Sequence, residues 1–123
     1  MTPAQREALR QQAREMRAWA RQLTAETLRF RADAEVHRVR SEVALAASTE
    51  LLKRLQTTVS KYAAILRKLD EPIERVIADA KQLATEATVE VRMRYERPEY
   101  VLAAKVQPEL VRWSTDGYLG LTR

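Results

Sequence analysis

Five arginines, Arg6, Arg10, Arg14, Arg17 and Arg21, recur at intervals of four, four, three and four residues. On a helix with ~3.6 residues per turn they share one side. Such a basic stripe suits phosphates or an acidic protein surface. Glu7 and Glu15 stand beside it, and no helix-turn-helix, RNP or zinc-finger pattern accompanies it. An acidic protein surface, or plain solvation, therefore ranks above nucleic acid. Trp19 falls outside the apolar seam of this region, and an exposed Trp on a helix often marks a contact. Arg10, Arg14, Arg17, Trp19 and Arg21 form the candidate docking surface.

Other residues that could do chemistry are sparse. His37 is the one histidine and there is no cysteine, so thiol chemistry, disulfides and Cys-ligated zinc are excluded. A lone His is a weak metal ligand candidate, and its expected role is structural or solvated. Asp70, Glu71, Glu74 and Asp79 interleave with Arg67, Lys68, Arg75 and Lys81, as on a salt-bridged solvated helix face. Acid–base catalysis would need them in a concave site with shifted pKa values. No phosphate loop, Ser-His-Asp set or nucleophile elbow occurs. The reading is a non-enzyme with no cofactor and no metal.

The elements that would position these residues are helical. Leu52, Leu55, Val59, Tyr62, Leu66, Leu69, Ile73, Val76, Ala80, Leu83 and Ala87 alternate gaps of three and four, a narrow seam of coiled-coil type. Leu52, Leu55, Val59, Tyr62, Leu66, Leu69, Ile73, Val76 and Leu83 are the candidate oligomer interface. An earlier seam, Leu9, Ala13, Met16, Ala20, Leu23, Thr27, Phe30 and Ala34, alternates large with small residues. The two are out of phase by four residues, which reads as a stutter in one supercoil, bridged by Val36, Val39, Val43 and Ala47. Thr2-Pro3-Ala4-Gln5 is a helix start with a capping box. No Gly or Pro occurs from Ala4 to Leu69, so one long rod is favoured. The alternative is a helical hairpin or bundle, turning near Ser48-Thr49 or Asp70-Glu71-Pro72. Pro72 either kinks the rod or separates two helices.

After Ala87 the period changes. Val89, Val91, Met93 and Tyr95 alternate with Glu90, Arg92, Arg94 and Glu96, the pattern of a strand with one buried face. Arg97-Pro98 would end it. Thr115-Asp116-Gly117 between two apolar runs reads as a hairpin turn, with Trp113 and Tyr118 filling a small core. The fold expected is mainly α: a coiled-coil rod over residues 1–87 and a β-rich tip over residues 88–123. A tip so short cannot bury a stable core alone, so copies must share one. That argues for a homo-oligomer, a trimer rather than a dimer.

Net charge is +5, from 22 basic and 17 acidic residues. The excess lies in residues 1–40, whereas residues 41–87 balance. No transmembrane run or signal peptide is visible, so a cytoplasmic or virion protein is expected. A shaft with a β tip looks like phage tail fibres, trimeric adhesins and stalk subunits, a resemblance of architecture. It implies a structural protein: a fibre, stalk or connector within a larger complex, with other protein subunits as partners. The alternatives are a basic coiled-coil binder of nucleic acid and an amphipathic coat in the manner of phasins on storage granules.

Overall fold

The computed structural model describes residues 1–37, 42–95 and 99–121, with side chains defined for most of these. It holds four helices: α1 (Pro3–His37), α2 (Glu42–Lys68), α3 (Ile73–Tyr95) and α4 (Glu99–Leu119). The long rod is overturned, because α1 and α2 run antiparallel. Arg6 reaches Leu69 and Asp70 at the far end of α2, and Ala13 clusters with Tyr62 and Ile65. α1 ends at His37 and α2 begins at Glu42 in the opposite direction, and the two apolar seams change phase from one helix to the next. The phase slip marks a break between two helices and not a stutter within one. Of the two turns expected for a helical hairpin or bundle, Ser48-Thr49 lies inside α2, whereas Asp70-Glu71-Pro72 connects α2 to α3.

α1 packs on α2 and α3, and α4 packs on the same two helices, while the pairs α1/α4 and α2/α3 barely touch. Around the bundle the order is thus α1, α2, α4, α3. The short α2–α3 connection crosses a diagonal. Three contacts hold it. Arg6 donates to the Leu69 carbonyl, Tyr118 of α4 donates its hydroxyl to the Glu71 carbonyl at 2.8 Å, and Arg67 donates to the Tyr118 carbonyl. The guanidinium of Arg67 also lies over the Tyr118 ring.

The seams read from the sequence form the interior of this bundle. Leu55, Val59, Tyr62, Val76 and Leu83 are buried, and Leu52, Leu66, Leu69 and Ile73 are half-buried. The main core joins Leu28 of α1, Leu55 and Val59 of α2, Leu83 and Val91 of α3, and Val106, Leu110 and Trp113 of α4. These residues face helices of their own chain. On α1 the buried face is wider than a coiled-coil seam, because Thr24, Ala25 and Leu28 join it, as expected of a helix with two neighbours. The Thr24 and Thr27 hydroxyls donate to the carbonyls of Ala20 and Leu23, which lets polar side chains sit in the core.

The β-rich tip is also overturned. No strand occurs among the described residues, and the boundary expected at residues 87/88 falls within α3. Val91 is buried in the core and Val89 is half exposed. Helix α3 continues through Tyr95 because its buried face finds α1 and α4, and tertiary burial overrides a β-branched local pattern. Arg97-Pro98, read as a strand end, lies outside the described residues. Helix α4 runs through Pro108 and Gly117. Pro108 is exposed; it brings no N–H to the helix, so one intrahelical bond is missing there.

Helix ends follow local chemistry. Thr2 and Gln5 exchange side chain–backbone bonds at 3.1 and 2.9 Å, the expected capping box. α3 starts just after Pro72, whose carbonyl accepts from Val76, so Pro72 separates two helices. α2 ends in a Schellman motif: the Asp70 amide donates to the Arg67 carbonyl and the Glu71 amide to the Leu66 carbonyl. Asp70 takes the left-handed position with φ 62°, a place usually held by Gly. Replacing Asp70 by Gly removes the side-chain strain and loses only the exposed ion pair with Arg6. Asp70→Gly is expected to be neutral or stabilising by up to about 1 kcal/mol, and Asp70→Val destabilising by about 1–2 kcal/mol. Urea unfolding of the two variants should move in opposite directions or show only Val as costly; equal losses would contradict the assignment.

Candidate functional site

α1 presents its arginines along the shoulder facing α3, and the structure divides them. Arg17 turns into the bundle. Its guanidinium meets the Asp79 carboxylate through Nε and Nη2, the shorter contact being 2.9 Å, and Glu86 at 2.7 Å. Asp79 and Glu86 are seven residues apart on α3, so two helical turns bring both carboxylates to one side. From α2, the Tyr62 hydroxyl donates to Asp79 Oδ2 at 2.6 Å. Three helices are thereby tied at one level.

Burial works against the charge on Arg17, but the hydrogen bonds and charges of Asp79 and Glu86 outweigh it and hold the proton more tightly than in an ordinary arginine. Burial, reinforced by the Asp79 hydrogen bond and charge, pushes the Tyr62 phenol well above its usual range. Asp79 accepts from two partners at once, Arg17 and Tyr62. The cluster is a clamp.

The sign of the Tyr62 shift gives a pH dependence. A phenol that is harder to ionise when folded contributes stability that is complete below the unfolded pKa of 10.0. That contribution is lost as pH rises through the folded value. Tyr62→Phe is expected to cost about 1 kcal/mol at pH 7 and to flatten the decline in stability above about pH 10. Chemical denaturation from pH 7 to 11 reads both. Parallel curves for wild type and variant would disprove the assignment.

The other arginines lie outside this clamp. Arg6 bonds to Leu69 and Asp70. Arg10 and Arg14 are exposed and share a single acid, Glu7, at 3.5 and 3.1 Å. Arg21 is exposed, with no ion-pair or hydrogen-bond partner among the described residues. Arg6, Arg10, Arg14 and Arg17 line one wall of a groove of about 490 Å³ whose floor is Tyr62, Leu66 and Leu69.

Trp19 is not part of this surface. Nine residues from Arg10 place it ~180° around the helix. It is 58% exposed and borders a separate groove against α2, with Glu50, Lys53, Arg54 and Thr57. No protein-family model matches the chain, no curated protein does, and no solved structure does.

Other expected site residues divide in the same way. Glu71 pairs with Arg75 at 3.0 Å, as the solvated-face reading supposed, whereas Asp79 is drawn into the clamp. His37 ends α1, and its side chain lies outside the described residues. Among the described residues no three His, Cys, Asp or Glu side chains gather in one place, and no helix is long and apolar enough to cross a membrane. The sequence reading missed Glu86 and the role of Tyr62. The available signal was the seven-residue spacing of Asp79 and Glu86, flanking a seam that already contained Tyr62.

Proposed function

We propose that this protein is a non-enzymatic assembly module, a four-helix bundle that docks an acidic protein surface within a larger complex. The observation that carries this reading is the division of the arginine stripe. Arg17 fastens α1 to α3, while Arg10, Arg14 and Arg21 stay exposed on the shoulder it fixes. Charges on a rigid helix lose little entropy when a partner docks. The bundle replaces the fibre or stalk as the architecture of the module, because the resemblance to fibres rested on the rod and the tip. An amphipathic coat would have to open the bundle to expose the apolar faces now packed against each other.

The test uses a fluorescent Asp/Glu-rich peptide of about a dozen residues as the acidic probe. Binding is expected at low salt and should fall as salt rises. Changing Arg10, Arg14 and Arg21 together to Gln should weaken it about tenfold with helicity unchanged. Undiminished binding by the triple variant would rule out this shoulder. Arg17 is left intact because its loss would strand Asp79 and Glu86.

A further inference from the structure

We infer that the outward face of α2, together with Trp19 of α1, is a binding track for single-stranded nucleic acid. Summed over residues 41–87 the chain is neutral, but the fold separates the signs. From residue 46 to 68, α2 carries Lys53, Arg54, Lys61, Arg67 and Lys68 against the single acid Glu50. Of the balancing acids, Glu74, Asp79 and Glu86 belong to α3, diagonally across the bundle, with Asp79 and Glu86 taken up by Arg17. Asp70 and Glu71, in the connection after Lys68, pair with Arg6 and Arg75, and Asp116 of α4 is the acid that borders the groove of Lys53 and Lys61.

Lys53, Lys61 and Lys68 are exposed and have no ion-pair partner among the described residues. Eight and seven residues apart, they stand ~12 and ~10 Å from one another along the helix. A row of ammonium groups without ion-pair partners at that spacing suits a flexible polyanion, which can adjust its phosphates to the row.

Between Lys53 and Lys68 every exposed residue is polar or basic. α2 itself therefore offers no apolar face of the kind an interfacial helix needs beside its charges; the exposed apolar residues bordering its grooves are Trp19 and Leu121. Trp19 supplies what an acidic peptide would not need. Its ring borders the groove lined by Lys53 and Arg54, so a flat π-face stands beside the phosphate track. An unpaired base can stack there, whereas a base inside a duplex cannot. This surface is separate from the arginine shoulder of α1, and either can fail without the other.

The test is titration of the full chain with a 20-nucleotide single-stranded oligothymidylate at low salt. Emission of Trp19 should be quenched on binding. Trp113 is buried, at 5% exposure, and its emission should stay. Each engaged phosphate contributes about −0.7 to the slope of log K against log salt for single strands, so three lysines predict a slope near −2. Lys53→Gln, Lys61→Gln and Lys68→Gln combined should weaken binding at least tenfold and flatten the slope. Trp19→Ala should weaken it several-fold and abolish the quench, and Arg10, Arg14 and Arg21 changed to Gln should leave it unaltered. All of these are surface changes, and circular dichroism verifies that each variant stays folded. With Arg10, Arg14 and Arg21 already changed to Gln, so that the α1 shoulder is silent, equal affinity for polyglutamate or for anionic phosphatidylserine vesicles would overturn the proposal, and so would oligonucleotide binding that Trp19→Ala leaves unchanged. So would oligonucleotide binding that survives loss of the three lysines.

Discussion

A chain ending at Ala87 is expected to lose the folded state. It would lack Val91 and all of α4, including Val106, Leu110 and Trp113, which belong to the same core cluster as Leu55, Val59 and Leu83. Burying each large apolar side chain is worth about 1.5–3 kcal/mol, so removing these four forfeits roughly 6–12 kcal/mol. That is comparable to the whole stability of an ordinary domain, about 5–15 kcal/mol. α4 is also one of the two neighbours of both α2 and α3, so its loss opens a full-length groove between them. The shortened chain should melt without a cooperative transition and aggregate through the uncovered faces. The full chain, with its seams closed on each other, is expected near its own mass of 14.2 kDa in solution. Thermal circular dichroism and light scattering read both. A cooperative, helical oligomer from residues 1–87 would restore the coiled-coil reading and refute the bundle.

Much of the interior was legible before the fold was known. Leu55, Val59, Tyr62, Val76 and Leu83 are buried as the seam required. Periodicity says which side of a helix is buried; it does not say whether the covering helix belongs to the same chain. The antiparallel pairing of α1 and α2 was hidden because no Gly or Pro separates the two helices in the sequence. Its trace was the loss of phase between the seams, which a single supercoil can also accommodate. The alternation of Val89, Val91, Met93 and Tyr95 misled for a different reason. β-branched residues in alternation satisfy the strand template, yet Val91 also continues the helical spacing from Leu83, Ala84 and Ala87, at intervals of eight, seven and four. The arginine shoulder was half legible. Spacing placed the arginines on one side of α1, but it could not show that Asp79 and Glu86 would claim Arg17 and leave its neighbours exposed.

Gly117 tests the same question at one atom. Read as part of Asp116-Gly117 in a hairpin, it would serve by taking positive φ, and Asn would be a fair substitute there. In the bundle it is buried within α4, and its use is the missing side chain. A Cβ at Gly117 would fall 2.6 Å from the Ser60 Cα and closer still to the Ser60 carbonyl oxygen. These are backbone atoms of α2 and cannot swing aside. In an ordinary helix interior Ala is preferred to Gly by about 0.5–1 kcal/mol. Here the clash must reverse that preference, because α2 and α4 would have to separate along the contact that also seats Trp113. Gly117→Ala is expected to destabilise by about 1–3 kcal/mol, and Gly117→Val by more. Gly120 provides the internal comparison. Its φ is +73°, nothing lies near its absent Cβ, and its amide and that of Leu121 close the Schellman motif of α4. Asn should therefore be tolerated at position 120, within about 1 kcal/mol, and should be at least as damaging as Ala at position 117. Urea midpoints for Gly117→Ala, Gly117→Asn and Gly120→Asn give the ordering. If Asn is tolerated at 117 and Ala is not, the residue is in a turn after all, and α4 does not pass through it.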